Sequence, residues 1–353
     1  MIDNDNATPA VSIVVPCRNE RDHIEEVLQS ILAQEAPPGG YEVLVADGLS
    51  DDGTREILIR MADEDSRLSI VDNPGGIVST GLNAAIRVAR GKIIIRMDAH
   101  TNYAKDYVFQ CVQLLSETAA DNVGGPWIVK GKGKIGKAIA AAFQSSFANG
   151  GARGHDPNHS GPVDTVYLGC WHREIFDRIG FFDEELVRNQ DDEFNLRLAR
   201  NGCKIWQSVK IKSWYHPRES LRHLFAQYFQ YGYWKALILQ KHRLPASIRH
   251  IVPASFVVVL LVLSVSSVFS HTAFWAWLFL LGLYAVVNIT ASLLTAASSR
   301  WNLFFLLPPV FAIFHVAYGW GFLRGVMDFI ILGRKPVPAY TALTRPSGNE
   351  LIR

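Results

Sequence analysis

Four short apolar runs punctuate the first hundred residues: Val11–Val15 (VSIVV), Glu42–Ala46 (EVLVA), Leu68–Val71 (LSIV) and Lys92–Met97 (KIIIRM). Their length and β-branched content predict buried strands. Between them, apolar residues recur at helical spacing near 21–34, 54–64 and 79–90. Alternation of this kind predicts an α/β fold, a mostly parallel Rossmann-like sheet with helices on both faces. A further strand is expected near 122–129. A Gly- and His-rich stretch, GGARGHDPNHSGP (150–162), reads as a mobile lid. A helix opens at Asp191-Asp192, and an amphipathic, aromatic helix covers 219–240.

After residue 250 the pattern changes. Three apolar segments, about 251–270, 273–298 and 303–323, follow almost without charge. The first two reach the roughly 20 apolar residues that a span needs; the third carries Pro308-Pro309. Lys235, Lys241, His242, Arg243, Arg249 and His250 cluster just before them, which marks the cytoplasmic side of a membrane. Three full spans would then carry Arg324, Arg334 and Lys335 to the other side, against the same rule, so a re-entrant third segment stays open. The expected organisation is a disordered start (1–10), a catalytic domain (11–217), an interfacial helix region (218–250), a membrane region (251–333) and a tail (334–353).

Composition narrows the function classes. The 353 residues carry 35 Lys and Arg against 33 Asp and Glu, a net charge of +2, so nothing points to nucleic acid. Cys17, Cys111, Cys170 and Cys203 are scattered without CxxC spacing, which argues against a disulfide framework or a zinc site and for free thiols in a reducing compartment. The polar start MIDNDNATPA is neither a signal peptide nor an anchor.

In an open α/β sheet, ligands bind beyond the carboxyl ends of the strands. That rule puts Pro16–Glu20, Asp47–Asp52 and Asp98–His100 on one rim. Each has a plain reading as a turn or a helix cap. Asp47, at a strand end, is less well explained by capping, and a carboxylate there can accept from a ribose hydroxyl or a base N–H. Asp98 and His100 suit a divalent cation, Mg²⁺ or Mn²⁺, held against a diphosphate, with imidazole favouring Mn²⁺. Gln190-Asp191-Asp192-Glu193 exceeds what a helix start needs, and neighbouring carboxylates raise one another's pKa. Asp191 is the candidate general base and Asp192 the second. Gly131–Lys137 (GKGKIGK) imitates a phosphate loop, but Ala138 lacks the hydroxyl such a loop needs, so it is expected to be a flexible basic loop.

Taken together, VSIVVPCRNE, DGLSDDGT, RMDAH and QDDEFNLRLARNG resemble the family-2 glycosyltransferases of GT-A fold. The DAH variant, VGGP (123–126), TVYLGCWHRE (165–174) and YHPRESLRHLFAQYFQYGYWK (215–235) are similar to the bacterial succinoglycan-type glucosyltransferases of exopolysaccharide synthesis. The similarity covers about residues 10–240 and continues into HVAYGWGFLRG (315–325). It implies that Pro16, Arg18, Glu20, Asp47 and Asp52 surround the nucleotide, and that Asp98 and His100 stand at the metal-binding Asp-x-Asp position. It further implies that Asp191 is the base, that Gln227 and Gln230 close over the donor, and that Arg218 reaches the diphosphate. Gln190 stands where the family carries Glu, and His100 where it carries a carboxylate. The expected enzyme is inverting and sits in the bacterial inner membrane, multi-pass, with its catalytic domain in the cytoplasm. It moves a hexose from UDP-glucose to a polyprenyl-diphosphate-linked saccharide. Three alternatives remain: a processive synthase, whose Gln-x-x-Arg-Trp motif is matched here only by Gln227-Tyr-Phe-Gln-Tyr231, without the Arg-Trp; a polyprenyl-phosphate sugar synthase; and a nucleotide-sugar sensor or scaffold.

Overall fold

The computed structural model describes residues 8–243, 247–337 and 340–341. Most of the expected disordered start and part of the expected tail lie outside these residues. The chain forms two units: residues up to Ile128 with Arg153–Tyr215, and Val129–Ala152 with the residues from His216 onward.

The first unit begins with β1 (Val11–Cys17), α1 (Ile24–Leu32), β2 (Tyr41–Asp47), α2 (Thr54–Glu64), β3 (Leu68–Asp72), α3 (Val78–Val88) and β4 (Ile93–Arg96). It continues through β5 (Thr101–Tyr103), α4 (Tyr107–Thr118) and β6 (Asn122–Gly125), and β7 (Ile128–Val129) ends this half. The expected strand near 122–129 is thus two short ones. In the second unit lie α5 (Gly133–Phe143) and α6 (Ser146–Asn149), after which β8 (Gly161–Pro162), β9 (Tyr167–His172), α7 (Glu174–Ile179), α8 (Gln190–Arg200), β10 (Ile205–Gln207) and β11 (Ser213–Tyr215) complete the first. The large sheet runs β3-β2-β1-β4-β9-β6-β10-β8. Its β3-β2-β1-β4 half is parallel, and β9 enters antiparallel to both β4 and β6.

Period-two side chains explain the layering. Ile13 and Val15 of β1, with Val43 and Val45 of β2, pack against Leu28, Leu58 and Val108 on one face. Val14 and Leu44 point the other way, toward Leu82, Ile86, Phe176 and Phe194. Both faces are covered, so these strands carry consecutive apolar residues, Ile13–Val15 and Val43–Ala46, rather than alternating. Pairing of Cys17 with Asp47 and of Val14 with Arg96 brings three strand ends to one rim.

The 153–162 segment departs from the expected mobile lid. Gln207 Nε2 donates to the carbonyl oxygens of Arg153, Asp156 and His159 at 3.4, 3.0 and 3.1 Å, and Gly161-Pro162 pairs with β10. A single buried amide from a distant strand ties the loop down, which the loop's own composition does not reveal.

The second unit adds α9 (Leu221–His242), α10 (Val252–Ser266), α11 (His271–Ser298) and α12 (Leu307–Gly325). Gly133 onward forms α5, not the flexible basic loop expected for Gly131–Lys137, because Ala138, Ile139, Ala142 and Phe143 give it a buried apolar face. Helices α9 and α12 approach closely at glycines: a Cβ on Gly232 would lie 2.0 Å from the Tyr318 oxygen, and one on Gly321 2.0 Å from that of Phe229. His315 of α12 shares a 2.8 Å hydrogen bond with the Phe147 carbonyl, anchoring α6. Three helical stretches are long and apolar enough to cross a membrane: Ile248–Ser266, His271–Ser298 and Trp301–Ile331. Pro308 does not interrupt the third, because it lies in the first turn of α12, where no amide hydrogen bond is lost. The polar exceptions face inward: Asn288 and Ser292 are buried, and the Asn288 amide donates to Pro308 O at 3.1 Å.

Candidate active site

The loop after β2 is shaped by its own acids. Asp47 is 1% exposed; its Oδ1 accepts from Ser50 Oγ at 2.6 Å and its Oδ2 from Arg55 Nη1 at 3.0 Å. Arg55 also pairs with Asp72 at the end of β3. Both oxygens of Asp47 are therefore engaged, and a ribose or base hydrogen bond would use a further lone pair of the same carboxylate. Asp52 accepts from Thr54 N (3.0 Å), Thr54 Oγ1 (2.6 Å) and Arg21 N (3.2 Å), so it caps α2. Burial pushes its pKa up, but these hydrogen bonds outweigh it and hold the carboxyl below its ordinary range. Leu49, in left-handed backbone (φ 58°), is exposed at the crest of this loop.

The loop after β1 locks onto the same place. Asn19 exchanges two side-chain hydrogen bonds with Asp51, and Glu20 N donates to Thr54 Oγ1. Pro16, half-buried, pairs in register with Ala46. Arg18 reaches across Gly48 to donate to the Gly76 carbonyl at 3.1 Å. Four of the expected nucleotide-side residues, Arg18, Glu20, Asp47 and Asp52, thus belong to one interlocked pair of loops.

Asp98 is held by two residues, one on its carboxylate and one on its backbone. Arg96, at the end of β4, donates from Nε and Nη2 to its two carboxylate oxygens at 2.8 and 3.0 Å. Tyr103 fixes its backbone: the hydroxyl accepts from Asp98 N at 2.5 Å and donates to Asp98 O at 3.1 Å. Burial, and next the charge of Asp98, push the Tyr103 pKa up, keeping the phenol a donor. His100 Nδ1 lies 3.5 Å from Glu20 Oε1, bringing the two loops together. Among the described residues no group of three or more His, Cys, Asp or Glu side chains gathers to cage an ion. Mg²⁺-type cations that bind through one or two protein carboxylates and a substrate phosphate need no such cage, and the carboxylate of Asp98 fits that donor set, while the imidazole of His100 suits Mn²⁺ better.

Helix α8 is seated by side chains invisible to local sequence. Phe194 packs into Trp171, Phe176 and Phe182, and Asn122 donates to Asn195 at 2.8 Å. The helix starts from Asn189 in left-handed backbone, φ 60°. Asp191, half-buried, accepts from Asp192 N at 2.9 Å. The acid run then divides. Glu193 is 2% exposed and paired through both oxygens with Arg197, which also donates to the Ile179 and Phe181 carbonyls. Glu193 is thereby held to the fold, while Asp191 and Asp192 stand at the helix start. The negative charge of Asp191 acts on Arg96.

Sequence reasoning missed the aromatic wall beside His100. Trp127 stacks on Tyr167 (5.0 Å, 7°), Tyr215 meets Trp127 edge-on at 5.6 Å, and His100 meets Tyr215 at 6.0 Å. Tyr167 is tied to Thr101 by a 2.8 Å hydrogen bond. These residues come from β9, β11, the turn before β5 and the link between β6 and β7, and carry no shared spacing. Arg96 did carry a signal, as a cation inside an isoleucine run. Arg218, Gln227 and Gln230 belong to the second unit; both glutamines are buried on α9, where Gln227 donates to Tyr231 at 3.0 Å.

Residues 12–180 match the family model "Glycosyl transferase family 2". The chain is 33% identical over 331 residues to the succinoglycan biosynthesis protein ExoA of Rhizobium meliloti (strain 1021), covering 90% of this chain and 95% of the relative. It is 24% identical, over 90% of this chain and 97% of the relative, to the dolichyl N-acetyl-alpha-D-glucosaminyl phosphate 3-beta-D-2,3-diacetamido-2,3-dideoxy-beta-D-glucuronosyltransferase of Methanococcus voltae. Among solved structures, the mannosyltransferase PcManGT of Pyrobaculum calidifontis, in complex with GDP-Man and Mn²⁺, superposes with a TM-score of 0.56 at 19% identity, covering 90% of this chain and 87% of that one. That likeness gives the fold, GT-A-like.

Proposed function

The chain belongs to glycosyl transferase family 2 and is a glycosyltransferase; from this premise we propose that it is an inverting, membrane-bound hexosyltransferase of exopolysaccharide synthesis. Its donor in this reading is UDP-glucose and its acceptor a polyprenyl-diphosphate-linked saccharide. The observation that carries it is the rim where the loops after β1 and β4 meet: Asp98 is gripped by Arg96, and His100 Nδ1 lies 3.5 Å from Glu20 Oε1. The relative named for succinoglycan biosynthesis supports the polymer assignment.

Asp191 takes the proton from the acceptor hydroxyl as its oxygen attacks the anomeric carbon, on the face opposite the departing diphosphate. Asp192 is the second acid at that end of α8. Asp98 and His100 would hold a divalent cation, Mn²⁺ or Mg²⁺, which when bound supplies electrostatic stabilisation to the leaving diphosphate. Pro16, Arg18, Glu20, Asp47 and Asp52 form the nucleotide side. Arg218, Gln227 and Gln230 are donor contacts on the resemblance alone. The catalytic domain faces the cytoplasm of the bacterial inner membrane, in line with the basic cluster before the first apolar helix. Confinement of enzyme and lipid-linked acceptor to one surface raises their effective concentration.

The test is a screen of radiolabelled nucleotide sugars with the chain in detergent and a bacterial lipid extract. Label from UDP-glucose in a lipid-linked oligosaccharide is expected. Long polymer indicates a processive synthase, labelled lipid monophosphate a polyprenyl-phosphate sugar synthase, and donor binding without transfer a sensor; each of these overturns the reading.

A further inference from the structure

Arg96 is the odd member of the rim. It follows Ile93-Ile94-Ile95 in β4, is 5% exposed, and spends two of its nitrogens on both oxygens of Asp98. The third, Nη1, is buried with no hydrogen-bond partner among the described residues. A buried donor left unsatisfied is costly, and a native chain that keeps one calls for an explanation. The bidentate grip also has a consequence for cations. A divalent ion at Asp98 has to take carboxylate oxygen from a guanidinium and then lie beside its positive charge. A diphosphate arriving with the ion reverses that balance, because its negative charge offsets both.

We propose that Arg96 guards the cation position: it holds both oxygens of Asp98 while the site is without donor, and yields them when a nucleoside diphosphate brings its cation. Arg96 is then a positioning residue, acting through Asp98 rather than on the reacting atoms. The site disfavours a free divalent ion and favours the cation with its nucleotide. Linkage makes the effect reciprocal, so the nucleotide also binds more tightly with the cation. The proposal rests on the reading of Asp98 as a cation ligand.

The experiment follows Mn²⁺ binding to the full chain in detergent by the electron paramagnetic resonance signal of free Mn²⁺, with and without saturating UDP. In the unmodified chain UDP is expected to tighten Mn²⁺ binding by about tenfold or more. Arg96→Gln removes the competing charge while leaving Tyr103 to hold the Asp98 backbone. It should bind Mn²⁺ alone about tenfold more tightly, with a correspondingly smaller gain from UDP. Arg96→Lys keeps the charge but not the chelating fork; it should retain the UDP gain while its kcat falls. A folded Arg96→Gln chain with unchanged or weaker Mn²⁺ binding overturns the guard. So does Mn²⁺ binding to the unmodified chain that UDP leaves unaltered, a result that needs no variant to fold. A merely structural Arg96 would lower the melting temperature of both variants without raising Mn²⁺ affinity in either. Asp98→Asn separates the two levels. If it keeps Mn²⁺–UDP binding, the cation reading of Asp98 fails; if it loses that binding while Arg96→Gln behaves as wild type, only the guard fails.

Discussion

Replacing Asp191 by Asn removes a charge and a proton acceptor while leaving the shape of the helix start intact. Asp191 Oδ1 accepts from the Asp192 amide at 2.9 Å, and the Asn oxygen can accept the same bond. Arg96 keeps its two hydrogen bonds to Asp98, so no buried cation is stranded. The change in folding stability should therefore be small, below about 1 kcal/mol, as for a substitution that opens no cavity and unpairs no buried charge. The catalytic loss is of another order. A positioned general base contributes about 10²–10⁴-fold, which at about 1.4 kcal/mol per tenfold is roughly 3–5 kcal/mol of transition-state stabilisation. Transfer of radiolabelled hexose into lipid-linked product gives kcat, calorimetry gives UDP affinity, and thermal unfolding in detergent gives stability. The expected result is kcat lowered by about 10²–10⁴-fold with UDP affinity and melting temperature unchanged. Turnover within about threefold of the unmodified chain would refute the role of Asp191 as base. Asp191→Ala, which also deletes the acceptor for the Asp192 amide, should lose a further ~0.5–2 kcal/mol of stability.

Asp98→Ala should abolish the dependence of UDP affinity on Mn²⁺ and, by leaving the Arg96 guanidinium buried and unpaired, cost about 3–5 kcal/mol of stability; equal UDP affinity with and without Mn²⁺ in the unmodified chain would remove the cation from the site. Glu193→Gln breaks the Glu193–Arg197 pair and should destabilise α8 by about 1.5–3 kcal/mol, with kcat per folded molecule near normal at low temperature; a large kcat loss in fully folded protein would make Glu193 catalytic. Glu42 accepts from Ser12 Oγ and Arg90 N, both at 2.7 Å, and from Arg90 Nε at 2.8 Å. Burial raises its pKa, but these bonds outweigh it and leave the folded value below the ordinary 4.5. Its contribution is therefore full above that ordinary value and is lost as pH falls through the lower folded one. Glu42→Gln should melt at a lower temperature than the unmodified chain at pH 7, and the gap should close only in acid; a gap that widens with acidity contradicts the assigned shift.

The chain order of apolar runs and polar strand ends was sufficient to place Pro16–Glu20, Asp47–Asp52 and Asp98–His100 on one rim. In a parallel sheet every strand ends on the same side, and β1, β2 and β4 are parallel neighbours. The apolar helices were legible for a similar reason: length and composition alone meet the requirement of a bilayer, and Trp301–Ile331 meets it despite Pro308.

What local pattern cannot carry is pairing between distant residues. Gly131–Lys137 reads as a basic loop until the buried face of α5 is seen, and 153–162 reads as a lid until Gln207 is found holding three of its carbonyls. Residues 190–193 read as one acidic cluster, yet Arg197, itself fixed to the carbonyls of 179 and 181, claims Glu193 for the fold and leaves Asp191 and Asp192 at the helix start. The sequence by itself determined which residue types stand at the strand ends, because strand period and direction are local properties of the chain. Only the tertiary structure decided which of those charges are spent on neighbours, because hydrogen-bond partners come from strands and helices tens of residues away. The 153–162 segment held by Gln207 is the product of that closure.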